Sequence, residues 1–118
     1  MSRTYIKHLA ITVLASVALS AKRFVAHDGG YPSAAGGLKT VAGVTETSAE
    51  VGDAVSAIVS YSAPVEAGGA VAAGAFVKPD ATGRAVTGTA ADHCGRALSA
   101  AAAEGDVIEV VLYRHIHA

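Results

Sequence analysis

The chain has no tryptophan, two phenylalanines and one methionine, so the side chains that fill most protein interiors are nearly missing. Hydrophobic residues still reach 52% of the 118, but much of that share is alanine. A core of Ala and Val removes little area from water per residue, at ~25 cal/mol per Å². Such a chain is expected to complete its burial against another subunit. The single cysteine, Cys94, excludes an internal disulfide and any four-cysteine metal site. It is compatible with synthesis in a reducing compartment. Charged residues are sparse at 16% and the net charge is −1. A dedicated nucleic-acid binder would carry a basic stripe, so no nucleic-acid partner is expected. The longest apolar run falls short of the ~20 residues that span a bilayer, so no membrane partner is expected either.

Catalytic and cofactor signatures are also missing. There is no Gly-x-Ser-x-Gly elbow and no His-Glu-x-x-His. Residues 26–43 are rich in Gly, Pro and Ser and read as a surface loop. Their glycines do not lie between a strand and a helix, and Lys39-Thr40 has the wrong spacing for a phosphate loop. No cofactor is expected, and no enzyme activity. His93 and Cys94 are adjacent, so on a strand they point to opposite faces and cannot chelate together. His115 and His117 would share a strand face, a half-site for zinc or copper, but no further ligand pair lies near them in the chain. They are expected to be an exposed polar end, with no metal. Glu104 and Asp106 resemble a carboxylate pair for acid/base work. Glu-Gly-Asp entering a strand explains them more simply as turn residues. Arg84 and Arg96 each follow a glycine and lead into apolar residues, as solvated strand ends or as ion-pair donors across a subunit interface.

What is present is strand pattern. Phe76 to Leu112 reads strand, tight turn, strand, loop, strand. Pro79-Asp80-Ala81-Thr82-Gly83 is a hairpin signal. The β-branched run from Val107 to Tyr113 follows the turn pair Gly105-Asp106 and places Ile108, Val110 and Leu112 on one face. The alanine-rich segment from Leu98 to Glu104 lies between Gly95 and Gly105 and is too short for a stable helix. It is expected to be a loop with one helical turn at most.

The N-terminus has two readings. Arg3 and Lys7 precede the apolar run Leu9 to Ala21, followed by Lys22-Arg23, as in a secretory signal peptide. An internal comparison opposes that reading. Phe24-Val25 and Phe76-Val77 lie 52 residues apart, as do Asp28 and Asp80, and Gly43 and Gly95. The two Gly-Asp pairs, Gly52-Asp53 and Gly105-Asp106, lie 53 apart. Val13, Ala15, Ala18 and Ala21 fall on Val65, Ala67, Ala70 and Ala73, a strand-and-loop segment. The expectation is therefore a mainly β fold: a small, compact β-sandwich or barrel-like domain built from two similar β-units of about 50 residues, with little helix. The boundaries are 1–10 for an N-terminal arm or first strand, 11–112 for the domain, with repeats 11–60 and 63–112, and 113–118 for a C-terminal tail. Cleavage at Ala21 would remove part of that fold.

The run from Pro64 to Gly74, then Pro79-Asp80 to Arg84-Ala85-Val86, then Gly95-Arg96-Ala97-Leu98 and Gly105 to Val110, resembles the capsid cement, or head decoration, proteins of tailed bacteriophages. The resemblance covers roughly residues 11–112. It rests on the order and spacing of small-residue patterns. It implies a β protein made in the bacterial host cytoplasm that binds the outer surface of an assembled phage head. The implied partners are the major capsid protein and further copies of the chain, usually in a homotrimer at three-fold positions. The implied work is reinforcement of the shell by clamping neighbouring capsid subunits, without catalysis. Arg3, Tyr5 and Lys7 precede the repeat landmarks and are the candidate capsid-contacting arm. A competing expectation is a secreted or periplasmic β-domain with a cleaved leader that binds a small ligand or glycan.

Overall fold

A computed structural model of the chain describes residues 10–32, 41–59 and 62–112, and among these no helix occurs. The protein is mainly β, with nine strands in two antiparallel sheets. The first sheet contains β1 (Ala10–Leu14), β2 (Phe24–Ala26), β3 (Val41–Thr45) and β4 (Ala54–Ile58), in the order β1-β4-β3-β2. The second contains β5 (Ser62–Glu66), β6 (Phe76–Pro79), β7 (Ala85–Thr87), β8 (Gly95–Ala97) and β9 (Val107–Leu112), in the order β5-β9-β8-β6-β7. Each sheet is drawn from one half of the chain.

The two sheets are built alike, residue for residue. Ala10 faces Ile58 across β1 and β4, and Ser62 faces Val111 across β5 and β9. Phe24 faces Val44, and Phe76 faces Arg96. Val44 faces Ile58, and Arg96 faces Val111. Outside the strands, Leu19 bridges Ala49 and Val71 bridges Ala101. Asp53 accepts a hydrogen bond from the N–H of Glu50 at 3.1 Å, and Asp106 accepts one from Ala103 at 3.2 Å. Each aspartate thus closes the turn that leads into the last strand of its half. Lys22, at φ 62°, is the non-glycine residue with positive φ among the described residues, and its counterpart is Gly74 at φ 85°. A left-handed backbone costs an L-residue roughly 1–2 kcal/mol, so the first half carries a strain that the second avoids.

Alternation explains the second sheet. In β5 and β9, Ala63, Val65, Ile108 and Val110 point inward and are fully buried, while their neighbours are partly exposed. Pro64 lacks an N–H, and it sits in an edge strand where fewer ladder donors are needed. Away from its exposed edge strand β1, the first sheet is covered on both faces, so β2 shows no alternation: Phe24, Val25 and Ala26 are all buried. One face, with Val13, Val25, Val55 and Ala57, packs with Ala15, Leu19, Ala49 and Tyr31 into a small core. The other, with Phe24, Val44 and Ile58, joins the inner side of the second sheet in the main core. Arg23 ties the halves at that seam. Its guanidinium donates to Glu66 at 3.1 and 3.3 Å and to the Thr82 carbonyl at 3.0 Å.

Four expectations meet these facts. The Pro79–Gly83 segment joins β6 and β7 as an antiparallel hairpin. The loop after β2 is less superficial than its composition suggests, because Pro32 is fully buried and the Tyr31 hydroxyl accepts a hydrogen bond from the Ser20 N–H at 2.9 Å. The segment 98–104 contains no helical turn; Ala101 instead bridges to Val71. The apolar N-terminal run enters the fold as β1, and Val13, Ala15 and Leu19 are buried. Removal of residues up to Ala21 would strip that strand from its sheet.

Candidate binding surface

Arg3, Tyr5 and Lys7 lie outside the described residues, as do His115 and His117. The other singled-out residues are placed. Both His93 and Cys94 are buried. His93 packs against Phe76 with ring centroids 4.3 Å apart and the planes tilted by 40°, and its Nδ1 lies 2.9 Å from the Thr89 carbonyl. Burial pushes the Cys94 thiol up to about 12, so it is neither a thiolate nor an accessible nucleophile at neutral pH. Among the described residues no three His, Cys, Asp or Glu side chains come together to hold a metal ion.

The charged residues are engaged within the chain. Arg84 pairs with Asp80 at 3.2 Å and with Glu104 at 3.3 Å, which gives Glu104 a structural partner rather than a catalytic one. Asp106 accepts from the N–H groups of Ala102 and Ala103. Desolvation pushes the Asp80 carboxyl up, but hydrogen bonds from the Arg84 and Thr82 backbone and the Thr82 hydroxyl, with the Arg84 charge, outweigh it and leave its pKa below the ordinary value. Desolvation likewise works against the Arg84 charge, and Asp80 reverses it, so that the guanidinium holds its proton more tightly than usual.

One surface of mixed apolar and charged character is the outer face of the second sheet. Ser62, Val111, Arg96 and Phe76 are successive register partners across β5, β9, β8 and β6, and so share one face. Arg96 is exposed, and its guanidinium carbon lies 4.6 Å from the centre of the Phe76 ring, a cation–π distance. Its Nε donates to the Gly74 carbonyl at 2.9 Å. The His93 ring is tilted against the same phenyl, so Phe76 contacts both an imidazole and a guanidinium. Polar pairs frame the row: Ser62 donates to Glu109 at 2.5 Å, and Lys78 pairs with Asp92 at 3.4 Å. Sequence reading noted Phe76 only as a repeat landmark. The alternation through β6 and β8, which puts Phe76, Lys78 and Arg96 on one side, was the available signal.

A partly apolar centre carrying Phe and Arg within a polar frame is the make-up of protein–protein contacts. Fold and surface together define a small two-sheet β module with a partly apolar outer face. Comparison with known proteins specifies the class: the chain belongs to the phage cement protein family, whose profile matches residues 4–112. That match begins further toward the N-terminus than the resemblance read from the sequence, and it includes Tyr5 and Lys7. Among solved structures, the chain is similar to the N base of the head fiber protein gp8.5 of bacteriophage phi29. Identity is 20% over 89% of this chain and 93% of that one, with a TM-score of 0.64, a likeness of fold. A search of curated proteins gave no match. The protein is thus a structural phage protein associated with the capsid.

Proposed function

We propose that the protein binds the outer surface of the assembled phage head and stabilises it by clamping neighbouring major capsid subunits, as a homotrimer and without catalysis. The observation that carries this reading is the cement-family match over residues 4–112. The fold supports it. Its interior is made largely of Ala and Val, so neighbours on a lattice add burial that the isolated chain lacks. Many copies on one shell gain by avidity, so each contact need only be modest. On this reading the chain is made in the host cytoplasm and is found on the virion exterior. The two halves are read as a duplicated β-unit, with repeats 11–60 and 63–112. Arg3, Tyr5 and Lys7 form the capsid-contacting arm and 113–118 a tail.

Co-sedimentation of purified protein with assembled shells lacking it tests the reading. Wild type should pellet with shells and raise the temperature at which packaged DNA becomes accessible to dye. A chain lacking residues 2–7 should stay folded yet bind less. Undiminished binding by the truncated chain would remove the arm from the mechanism, and no binding by wild type would remove the capsid assignment itself.

A further inference from the structure

Of the arginines among the described residues, Arg23 and Arg84 pair with carboxylates inside the chain, and Arg96 does not. Its Nε donates to the Gly74 carbonyl, and its guanidinium carbon rests 4.6 Å from the centre of the Phe76 ring. Those two contacts hold the guanidinium in place, yet leave both terminal nitrogens without a partner among the described residues. Carboxylates on the same side of the sheet are engaged elsewhere. Glu109 accepts from the Ser62 hydroxyl, and Glu66 pairs with Arg23. A guanidinium held this way can meet a carboxylate through two parallel N–H···O bonds, and it gives up little side-chain freedom in doing so.

Around Arg96 the face departs from its counterpart in the first half. Gly95 and Ala97 are buried while Arg96 and Leu98 are exposed. The Leu98 N–H donates to the Glu109 carbonyl, so Leu98 continues the β8 ladder on the Arg96 side. Val107 lies on that side too, two positions from Glu109 in β9. Leu98 and Val107 are 54% and 50% exposed. The equivalent positions in the first half are Glu46, whose N–H donates to the Ser56 carbonyl in the same way, and Ala54, which faces Leu14 as Val107 faces Glu66. A sheet face kept for water alone is polar at its outward positions. Here leucine stands where the first half has glutamate, and valine where it has alanine, beside an arginine in the position of Val44. Arginine and an aromatic ring with apolar area around them are what contact centres between proteins use.

We infer that this face meets the shell, and that the Arg96 guanidinium receives a carboxylate side chain of the major capsid protein while Leu98 and Val107 cover apolar surface beside it. The contact presupposes the capsid reading above and adds to it a surface and a partner chemistry. Charge complementarity selects the occupant. A cation held in the open, with no carboxylate opposite it among the described residues, is matched by an anion from outside the chain, and the neighbouring aliphatic side chains exclude water from the pair.

The measurement is the dissociation constant for shells lacking the protein, by co-sedimentation, with each variant first checked for a wild-type melt. Arg96→Glu should weaken binding at least about tenfold, because it sets two carboxylates against each other. Arg96→Lys should keep only part of the affinity, since an ammonium cannot make the paired bonds. Leu98→Glu, which gives the second half the residue of the first, should also weaken binding, and it tests the surface without touching the Phe76 contact. Thr47→Glu, at an exposed turn of the first half, should bind as wild type does. Shells whose carboxylates have been amidated with carbodiimide and methylamine should bind wild type only as well as untreated shells bind Arg96→Gln, and amidation should not weaken Arg96→Gln further. Wild type that fails to bind untreated shells would overturn the capsid reading and this contact with it. Wild-type binding that Arg96→Glu and Leu98→Glu leave undiminished, or that Thr47→Glu weakens equally, would overturn the surface and leave the capsid reading standing. Full binding of wild type to amidated shells would overturn the carboxylate partner.

Discussion

Phe24 and Phe76 occupy the same register position in two like sheets, which makes a controlled comparison of one substitution in two settings. Phe24 is 0% exposed and packs between the sheets with Val44 and Ile58. Truncating a fully buried phenylalanine to alanine costs about 3–5 kcal/mol, the sum of lost transfer energy and the cavity left behind. That is a large share of the roughly 5–15 kcal/mol that holds a domain together. Phe76 is only partly buried, in contact with the His93 ring and the Arg96 guanidinium. Its loss forfeits part of the transfer term and a cation–π contact of about 0.5–1 kcal/mol, and opens no closed cavity, so about 1–2 kcal/mol is expected. Urea denaturation of both alanine variants at low micromolar concentration gives the two values directly. Phe24→Ala should lower the midpoint by at least twice as much as Phe76→Ala. Equal losses would refute the assignment of unequal burial to equivalent faces.

The remaining expectations concern the backbone and the thiol. A Cβ on Gly95 would collide with the Val111 carbonyl and the Val110 side chain, as one on Gly43 would with the Ile58 carbonyl. Gly95→Ala should therefore cost more than about 2 kcal/mol in a thermal melt, and a near-neutral result would contradict the close β8–β9 approach. Lys22→Gly should raise stability by up to about 1 kcal/mol by relieving a left-handed backbone, while Gly74→Ala should lower it by about 1–2 kcal/mol; chemical denaturation of the pair checks both signs. Cys94 is an acid whose folded pKa, about 12, lies above its ordinary 9.0. Its contribution is thus intact below pH 9 and declines as pH rises through that window, by about 1.4 kcal/mol per unit. Cys94→Ala should show a shallower alkaline fall, and a thiol reagent at neutral pH should react only when the wild-type chain is unfolded.

Much of the architecture was legible because rare residues fall at structurally demanding points. The Gly-Asp pairs stand where a turn enters the last strand of each sheet, and the Phe-Val pairs open β2 and β6. Alternation located Ile108 and Val110 because β9 has one dry face and one wet one. It could not show that Phe24 is sealed and Phe76 is not, since periodicity reports which residues share a side and is silent on what covers that side. Nor could composition show that Tyr31 and Pro32 fold back on the core, because a Gly-Pro-Ser segment looks superficial whether or not a single aromatic anchors it. The pairing of Arg84 with both Asp80 and Glu104 joins residues twenty apart through the hairpin, beyond the reach of local pattern. The proposed arm residues Arg3, Tyr5 and Lys7 stand apart from both the pattern and the described structure.

That each sheet comes from one half of the chain also sets an order of events on the ribosome. Residues through Ile58 contain all of β1, β4, β3 and β2, and with them Val13, Leu19, Val25 and Val55 of the small core. At roughly 5–20 residues per second, the second half follows only after several seconds. During that interval the first sheet stands with Phe24, Val44 and Ile58 facing water, a bare patch of the kind that recruits wrong partners. The nascent chain must carry this patch until β5 to β9 arrive to cover it. Slower synthesis through the second half would lengthen that exposure, although it leaves no trace in the finished fold.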